Sequence, residues 1–244
     1  MPHRRPIILT DDHVARVGAV EGPLHDPRWR MLDDADLDLL AGRLTRGRPR
    51  PIPVFAYGSL IWNPGFPVHA RRRATAVGWH RSFSISLDHF RGSPERPGLM
   101  LALASGGRCD GLLLEIGEDV EAHSLRAILR RELVAHELSA NACWIEVDTE
   151  RGREQALTFY ADPVGTQLAE LTIEEQARRL ARAAGAAGSG AEYLLRTVRG
   201  LAECGIHDDY IWSLQQRVAE EIDAESAETC VGAGRATEPA GRPG

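Results

Sequence analysis

VFAYGSLIWNP, residues 54 to 64, begins as an apolar strand-like run from Val54 to Tyr57, breaks at Gly58-Ser59, and resumes at once as Leu60-Ile61-Trp62. Just upstream, RGRPRPIP is a proline-punctuated connector that cannot continue a helix. Downstream, the hydrophobic period becomes two. The stretch therefore marks the change from a helical arm to a sheet. The break itself has two readings. A glycine-serine corner after a strand exposes consecutive backbone N–H groups, which can receive an anion or a developing oxyanion. Equally, it is an ordinary tight turn or bulge in which Ser59 satisfies the local backbone.

Working outward, Phe83, Ile85 and Leu87 alternate with Ser82, Ser84 and Ser86 in RSFSISLD, the pattern of a half-buried strand. LMLALA and GLLLEI are short continuous apolar runs, read as two separate strands buried on both faces. CWIEVD and ALTFYA form an expected hairpin around TERGRE, and GEDVEAHSLRAILRREL, about residues 118–133, is an expected helix. After Pro163 the helical period takes over, predicting helices at about 172–185, 190–203 and 208–223. Residues 1–50 read as an N-terminal arm with one helix, DDADLDLLAGRL, capped by Asp33 or Asp34 and striped by Leu37, Leu39, Leu40 and Leu44. Residues 224–244, rich in Ala, Gly, Glu, Thr and Pro, read as a disordered tail. Strands first and helices later imply an α+β domain over residues 51–223, with helices packed on one side of a sheet or small barrel.

At 244 residues, with 43% hydrophobic and 26% charged residues, the chain can bury a proper core and has the composition of a soluble globular protein. Its formal net charge of −6 argues against long nucleic acid as a partner and favours a small polar ligand. Arg71-Arg72-Arg73 is expected to be a solvated strand edge or turn. Cys109, Cys143, Cys204 and Cys230 form no C-x-x-C pair, which fits a reducing compartment and gives neither a disulfide framework nor a zinc site. The apolar run of MPHRRPIILTDDH is too short for a signal peptide, and no stretch approaches the roughly 18 apolar residues of a membrane span. A cytoplasmic protein without a membrane segment is expected.

Glu132 is the sharpest candidate for chemistry. It lies seven residues after Leu125, four after Ile128 and three after Leu129, on the inward stripe of the expected helix. Burial raises a carboxyl pKa, and a raised value suits a general base. The competing reading has the helix fray here, with Glu132 pairing with Arg131 or a neighbouring chain. GAAGSGAEYLL places glycines at 185, 188 and 190 before a helix, either a phosphate cradle or a flexible turn capped by Ser189. Tyr193, in the first turn, sits at the edge of the Leu194/Leu195/Val198 stripe, where its hydroxyl reaches a cleft or covers the core. The nine histidines make no metal-ligand spacing, and no G-x-S-x-G hydrolase elbow is present.

Taken in order, VFAYGSLIWNP, VGWHRSFSISLDHFRG, PGLMLAL, LRRELV and GAAGSGAEYLL resemble the landmarks of the ChaC family of γ-glutamylcyclotransferases, over about residues 54 to 220. The resemblance implies a small mixed β-barrel flanked by helices. It also implies cleavage of glutathione to 5-oxoproline and cysteinylglycine without metal or cofactor. It would place the catalytic glutamate at Glu132, the substrate-holding loop at Ala56, Tyr57, Gly58, Ser59, Leu60 and Ile61, and Tyr193 near the pocket. The chain departs from the family's pattern at Ala56, Leu99, Leu114-Glu115, the segment LVAHELSANAC and Gly190. These positions are expected to alter the pocket wall, making another γ-glutamyl amine or peptide the alternative substrate. A non-catalytic binding or regulatory role on the same fold is the rival class. The arm is a candidate contact for a homodimer or another partner.

Overall fold

The structure, a computed structural model, describes residues 6–162 and 166–235. In chain order the elements are α1 (Asp11–Val17), α2 (Asp34–Thr45), β1 (Ile52–Ala56), α3 (Ser59–Trp62), β2 (Val68–Leu87), β3 (Gly98–Ile116), α4 (Glu121–Leu133), β4 (Ala142–Thr149), β5 (Gly152–Phe159), α5 (Ile173–Arg182), β6 (Ala184–Gly185), β7 (Gly188–Ser189), α6 (Gly190–Glu203) and α7 (Asp209–Arg235). Five strands close a barrel in the order β1-β3-β2-β4-β5. All pairings are antiparallel except β1 with β5, which run parallel at Val54 and Leu157. The barrel is therefore mixed, and the α+β expectation holds.

β1 is buried along its whole length because each of its faces has a core to enter. Phe55 joins Leu103, Leu113 and Val147 in a small apolar cluster, while Val54 and Ala56 join the larger one beneath the helices. A strand whose side chains alternate between two cores reads as continuous hydrophobic sequence. The runs LMLALA and GLLLEI belong to one strand, β3, not two. It pairs with the 20-residue β2 along nearly its whole length, and the register shifts between Val77 and Trp79, opposite Ser105–Arg108. There Gly78 and Gly106 adopt φ of 86° and 98°, which lets the ribbon bend without ending.

The arginine triplet lies inside β2, not on an edge or turn. Arg71 and Arg73 are exposed, but Arg72 pairs with Glu115 on β3 and Glu154 on β5. The arm holds two helices, not one. α1 has a Thr10 cap and no buried residue, so its sequence carries no apolar stripe. α2 begins at Asp33, whose side chain accepts from the Asp36 N–H at 2.8 Å, and buries Leu37 and Leu40 while Leu39 stays exposed. Ion pairs from Arg126 to Asp38 and from Arg130 to Asp34 tie α2 to α4. The start of the arm is fastened to α7, where Gln215 accepts from the Ile8 and Leu9 N–H groups at 2.9 and 2.8 Å.

On the C-terminal side, α5 stops at Arg182, short of residue 185. The chain turns through the β6–β7 hairpin, and the Gly190 N–H returns to the Ala183 carbonyl at 2.9 Å. α6 matches its expected span, started by Ser189, which accepts from the Glu192 N–H at 3.1 Å. α7 runs to Arg235, into the segment expected as a disordered tail, whose remainder lies outside the described residues. No helix among the described residues is long and apolar enough to cross a membrane.

Candidate active site

The chain does not resume as a strand after Gly58. It makes the single helical turn α3, in which Ile61 N–H bonds Gly58 O at 3.0 Å and Asn63 N–H bonds Ser59 O at 2.8 Å. No side chain caps this turn, which leaves the first amides of Ser59 and Leu60 without a capping acceptor. Its orientation is fixed from behind. Arg81, buried in β2, donates from Nε to the Tyr57 carbonyl at 2.7 Å and pairs with Asp208 at 2.8 Å.

Beside this corner opens a cavity of about 600 Å³. Tyr57, Gly58, Ser59, Leu60, Glu132 and Tyr193 all line it. Ala56 and Ile61 are not among the lining residues; both are buried in the main core. Glu132 stands in the last turn of α4, one residue before the helix ends, and Leu125, Ile128 and Leu129 beneath it are buried. Its side chain is 22% exposed and pairs with Arg131, Nε to Oε1, at 3.2 Å. The expected pairing with Arg131 thus forms, but without fraying, and Glu132 still faces the cavity. Burial raises its pKa, and Arg131 only partly opposes that rise.

Arg131 also joins the two sides of the site. Its Nη2 donates to Ser59 Oγ at 2.6 Å and its Nη1 donates to the Asn63 carbonyl. Tyr193 is buried, hydrogen-bonded to Ser59, and packed edge-on against Phe83 and Trp62. Burial first, then the nearby Glu132 charge, push its phenol up to about 12, so it remains protonated and can donate. The same two causes, in the same order, raise Tyr57. A Cβ at Gly58 would stand 3.1 Å from Leu101 Cδ2 and 3.6 Å from Tyr193 Oη. The glycine therefore lets the corner approach the phenol.

Several lining residues were not singled out by their sequence pattern. Leu24, His25, Asp26, Arg28 and Trp29 of the arm form part of the wall, with Trp29 edge-on to His89 at 5.0 Å and Phe90 N–H bonded to the Pro23 carbonyl at 3.1 Å. Arg91, buried behind Tyr193, is another. Loops have no period to read, so only their polar residues against an apolar background could have pointed here. Phe90 and Val134, with φ of 61° and 33°, are the two non-glycine residues in the left-handed region among the described residues, and both line the cavity. Such conformations persist where surrounding structure enforces them, typically at ligand sites. Of the positions expected to change the pocket wall, Leu99, Leu114-Glu115 and Gly190 are not lining residues, whereas Val134, Leu138 and Asn141 of the LVAHELSANAC segment are.

One group among the described residues, Asp26, Asp88 and His89, brings metal-ligand atoms within 4.8 Å of one another. Arg28 engages both oxygens of Asp26 and holds its carboxyl down to about 2, and Asp88 accepts His89 Nδ1 at 2.8 Å. Asp26 is thus committed to Arg28 and Asp88 to His89, which is the arrangement of ion pairs.

The arrangement has the groups that acid–base chemistry on a small polar molecule requires. A carboxylate with a raised pKa, backbone donors and a protonated phenol converge in one partly enclosed cavity. Among solved structures, a γ-glutamyl cyclotransferase specific to glutathione from yeast shares the fold, with a TM-score of 0.61 at 19% identity over 70% of this chain and 96% of that one. The chain is 31% identical over 211 residues to the glutathione-specific gamma-glutamylcyclotransferase of Escherichia coli (strain K12), covering 84% of this chain and 87% of that protein. It is 27% identical over 179 residues to gamma-glutamylcyclotransferase 2-1 of Arabidopsis thaliana, covering 70% and 83%. The family model described as ChaC-like protein matches residues 52–221, and the chain belongs to that family.

Proposed function

We propose that this protein is a γ-glutamylcyclotransferase that releases 5-oxoproline from glutathione, with cysteinylglycine as the second product. The observation that carries the reading is Glu132, a carboxylate of raised pKa set in the cavity beside the Gly58-Ser59 corner and Tyr193.

The γ-glutamyl group carries its own nucleophile, the α-amine, which as ammonium cannot attack. Glu132 takes a proton from it, and the freed lone pair attacks the γ-carbonyl carbon to close a five-membered ring. The carbonyl π electrons move to oxygen, where the amides at the start of α3 and the Tyr193 hydroxyl are suited to receive the charge. Collapse of this intermediate breaks the bond to the cysteine nitrogen, and Glu132 returns a proton to that leaving group. Two protons leave the α-nitrogen and two arrive on the departing amine, so the enzyme ends as it began. Holding amine and carbonyl together supplies orientation worth up to roughly 7–11 kcal/mol in the best intramolecular models.

The test is incubation of the purified protein and its Glu132→Gln variant with reduced glutathione, following both products by mass spectrometry. The expected result is product from the wild type and none above background from the folded variant. A folded wild type that yields no 5-oxoproline overturns the reading.

A further inference from the structure

Arg91 is a buried cation with no part in the chemistry described so far. It follows Phe90, whose left-handed backbone turns the chain out of β2, and its loop is packed against the glycine hairpin β6–β7. The Ala187 N–H bonds the Phe90 carbonyl at 2.8 Å, and a Cβ at Gly185 would collide with that same carbonyl. The side chain is 10% exposed and lines the cavity. Its Nη1 donates to the Ser189 carbonyl at 3.1 Å and to Glu192 Oε2 at 3.2 Å, while Nε and Nη2 donate to no described residue. Glu192 does not neutralise it fully, because Glu192 Oε1 also pairs with Arg196 at 2.8 Å. Two arginines share one carboxylate beside a partly closed cavity, so Glu192 is one charge short of neutralising both. Desolvating a guanidinium in this way is unfavourable unless an anion completes it.

The location of that charge is informative. The Arg91 guanidinium lies over the Tyr193 ring, 5.2 Å from its centroid, while the Tyr193 hydroxyl at the other end of the ring reaches Ser59 and approaches Gly58. Glu132 and Arg91 both act on the Tyr193 phenol. A γ-glutamyl group laid along Tyr193 with its carbonyl at the Gly58-Ser59 corner has one remaining anion near this end, the α-carboxylate. That group shares its carbon with the attacking amine, so anchoring it also sets the amine's direction.

We propose that Arg91 binds the α-carboxylate of the γ-glutamyl group through Nε and Nη2 and thereby orients the α-amine for attack. The proposal rests on the cyclotransferase reading above. It makes Arg91 a substrate-binding residue whose planar fork, rather than its charge alone, is required.

The experiment compares wild type, Arg91→Gln and Arg91→Lys on three substrates. These are glutathione, its glycinamide form (lacking the glycine carboxylate) and 4-aminobutanoyl-cysteinylglycine (lacking the α-carboxylate), with pyrrolidinone as the cyclised product of the last. Thermal melting and circular dichroism establish that each variant is folded, and Arg91→Lys serves if Arg91→Gln is not. The wild type is expected to turn over glutathione and its glycinamide comparably and to use the aminobutanoyl compound about 10- to 100-fold less well in kcat/KM. Arg91→Gln is expected to lose a similar factor on glutathione and its glycinamide, mainly in KM, and almost nothing on the aminobutanoyl compound. Arg91→Lys is expected to fall between. Equal losses on all three substrates would overturn the proposal, as would a loss that disappears for the glycinamide instead, which would place the glycine carboxylate at Arg91. Absence of 5-oxoproline from wild type with glutathione is a different failure, and removes the cyclotransferase reading together with this one.

Discussion

Glu132 is held between two opposed influences: burial, which resists its ionisation, and Arg131 at 3.2 Å, which favours it. Burial dominates, and two consequences follow with definite signs. In the proposed role of base it must be ionised, so kcat/KM should rise with pH along an acid limb displaced above the ordinary carboxylate range, as a pH–rate profile will read. For stability, a folded-state pKa above the unfolded one means that the folded chain binds this proton more tightly. The group's contribution therefore declines as pH rises from the ordinary carboxylate range through the raised value. Glu132→Gln should lower turnover by about 10²–10⁴-fold, yet melt at or above the wild-type temperature at neutral pH, with the difference closing in acid. A second prediction concerns Gly58. Gly58→Val pushes the corner away from Leu101 and Tyr193, and a displacement on the order of 1 Å should reduce kcat/KM by about 10²-fold. Steady-state kinetics on the folded variant decides it.

The separate elements reach the site by different routes, and that governs how much of it was legible beforehand. α4 announces itself by period: Leu125, Ile128 and Leu129 define a face, and the spacing alone puts Glu132 on it. α6 likewise brings Tyr193 to the cavity from a readable cap and stripe. The Gly58-Ser59 corner was visible as an interruption in apolar sequence, although its form as one helical turn was not. Ala56 and Ile61 belong to the same motif but enter the core, because neighbouring side chains alternate faces along a strand and point about 100° apart around a helical turn. The arm wall was not legible, and Arg91, although inside the landmark VGWHRSFSISLDHFRG, was not singled out as a site residue. They sit in loops whose placement depends on contacts distant in sequence, such as Trp29 on His89 and Phe90 on Pro23. The arm supplies part of the cavity wall and is expected to contribute to substrate binding. Trp29→Ala should therefore raise KM for glutathione by about 3- to 10-fold while kcat stays within about twofold, measurable by initial rates over a range of substrate concentration.

At the scale of the whole molecule, the barrel is held shut by hydrogen bonds along five strands and by inter-strand ion pairs, of which those of Arg72 are the most buried. Arg72 on β2 reaches Glu115 on β3 and Glu154 on β5, with side-chain exposures of 10%, 14% and 27%. Burial alone would raise the Glu154 pKa, but the hydrogen bonds from Arg72 and Thr149 outweigh it and the value is lowered. A depressed carboxylate contributes stability above its unfolded-state pKa and loses it as pH falls through the folded one. Arg72→Met strands two carboxylates in this half-covered position. Complete burial would make the loss about 3–5 kcal/mol, so about 2 kcal/mol is expected here. Denaturant unfolding at neutral pH should show that loss, and the variant's stability should vary less than wild type on the acid side.

The cavity wall is of mixed parentage. Glu132, the Gly58-Ser59 corner and Tyr193 lie within residues 52–221, the span matched by the family model, whereas the lining residues of the arm, from Leu24 to Trp29, lie before it. The parts that would perform ring closure and the part of the wall contributed by the arm can therefore diverge separately in evolution. Exchanging the arm between homologues would retune which γ-glutamyl compounds are accepted while the cyclising apparatus is inherited unchanged.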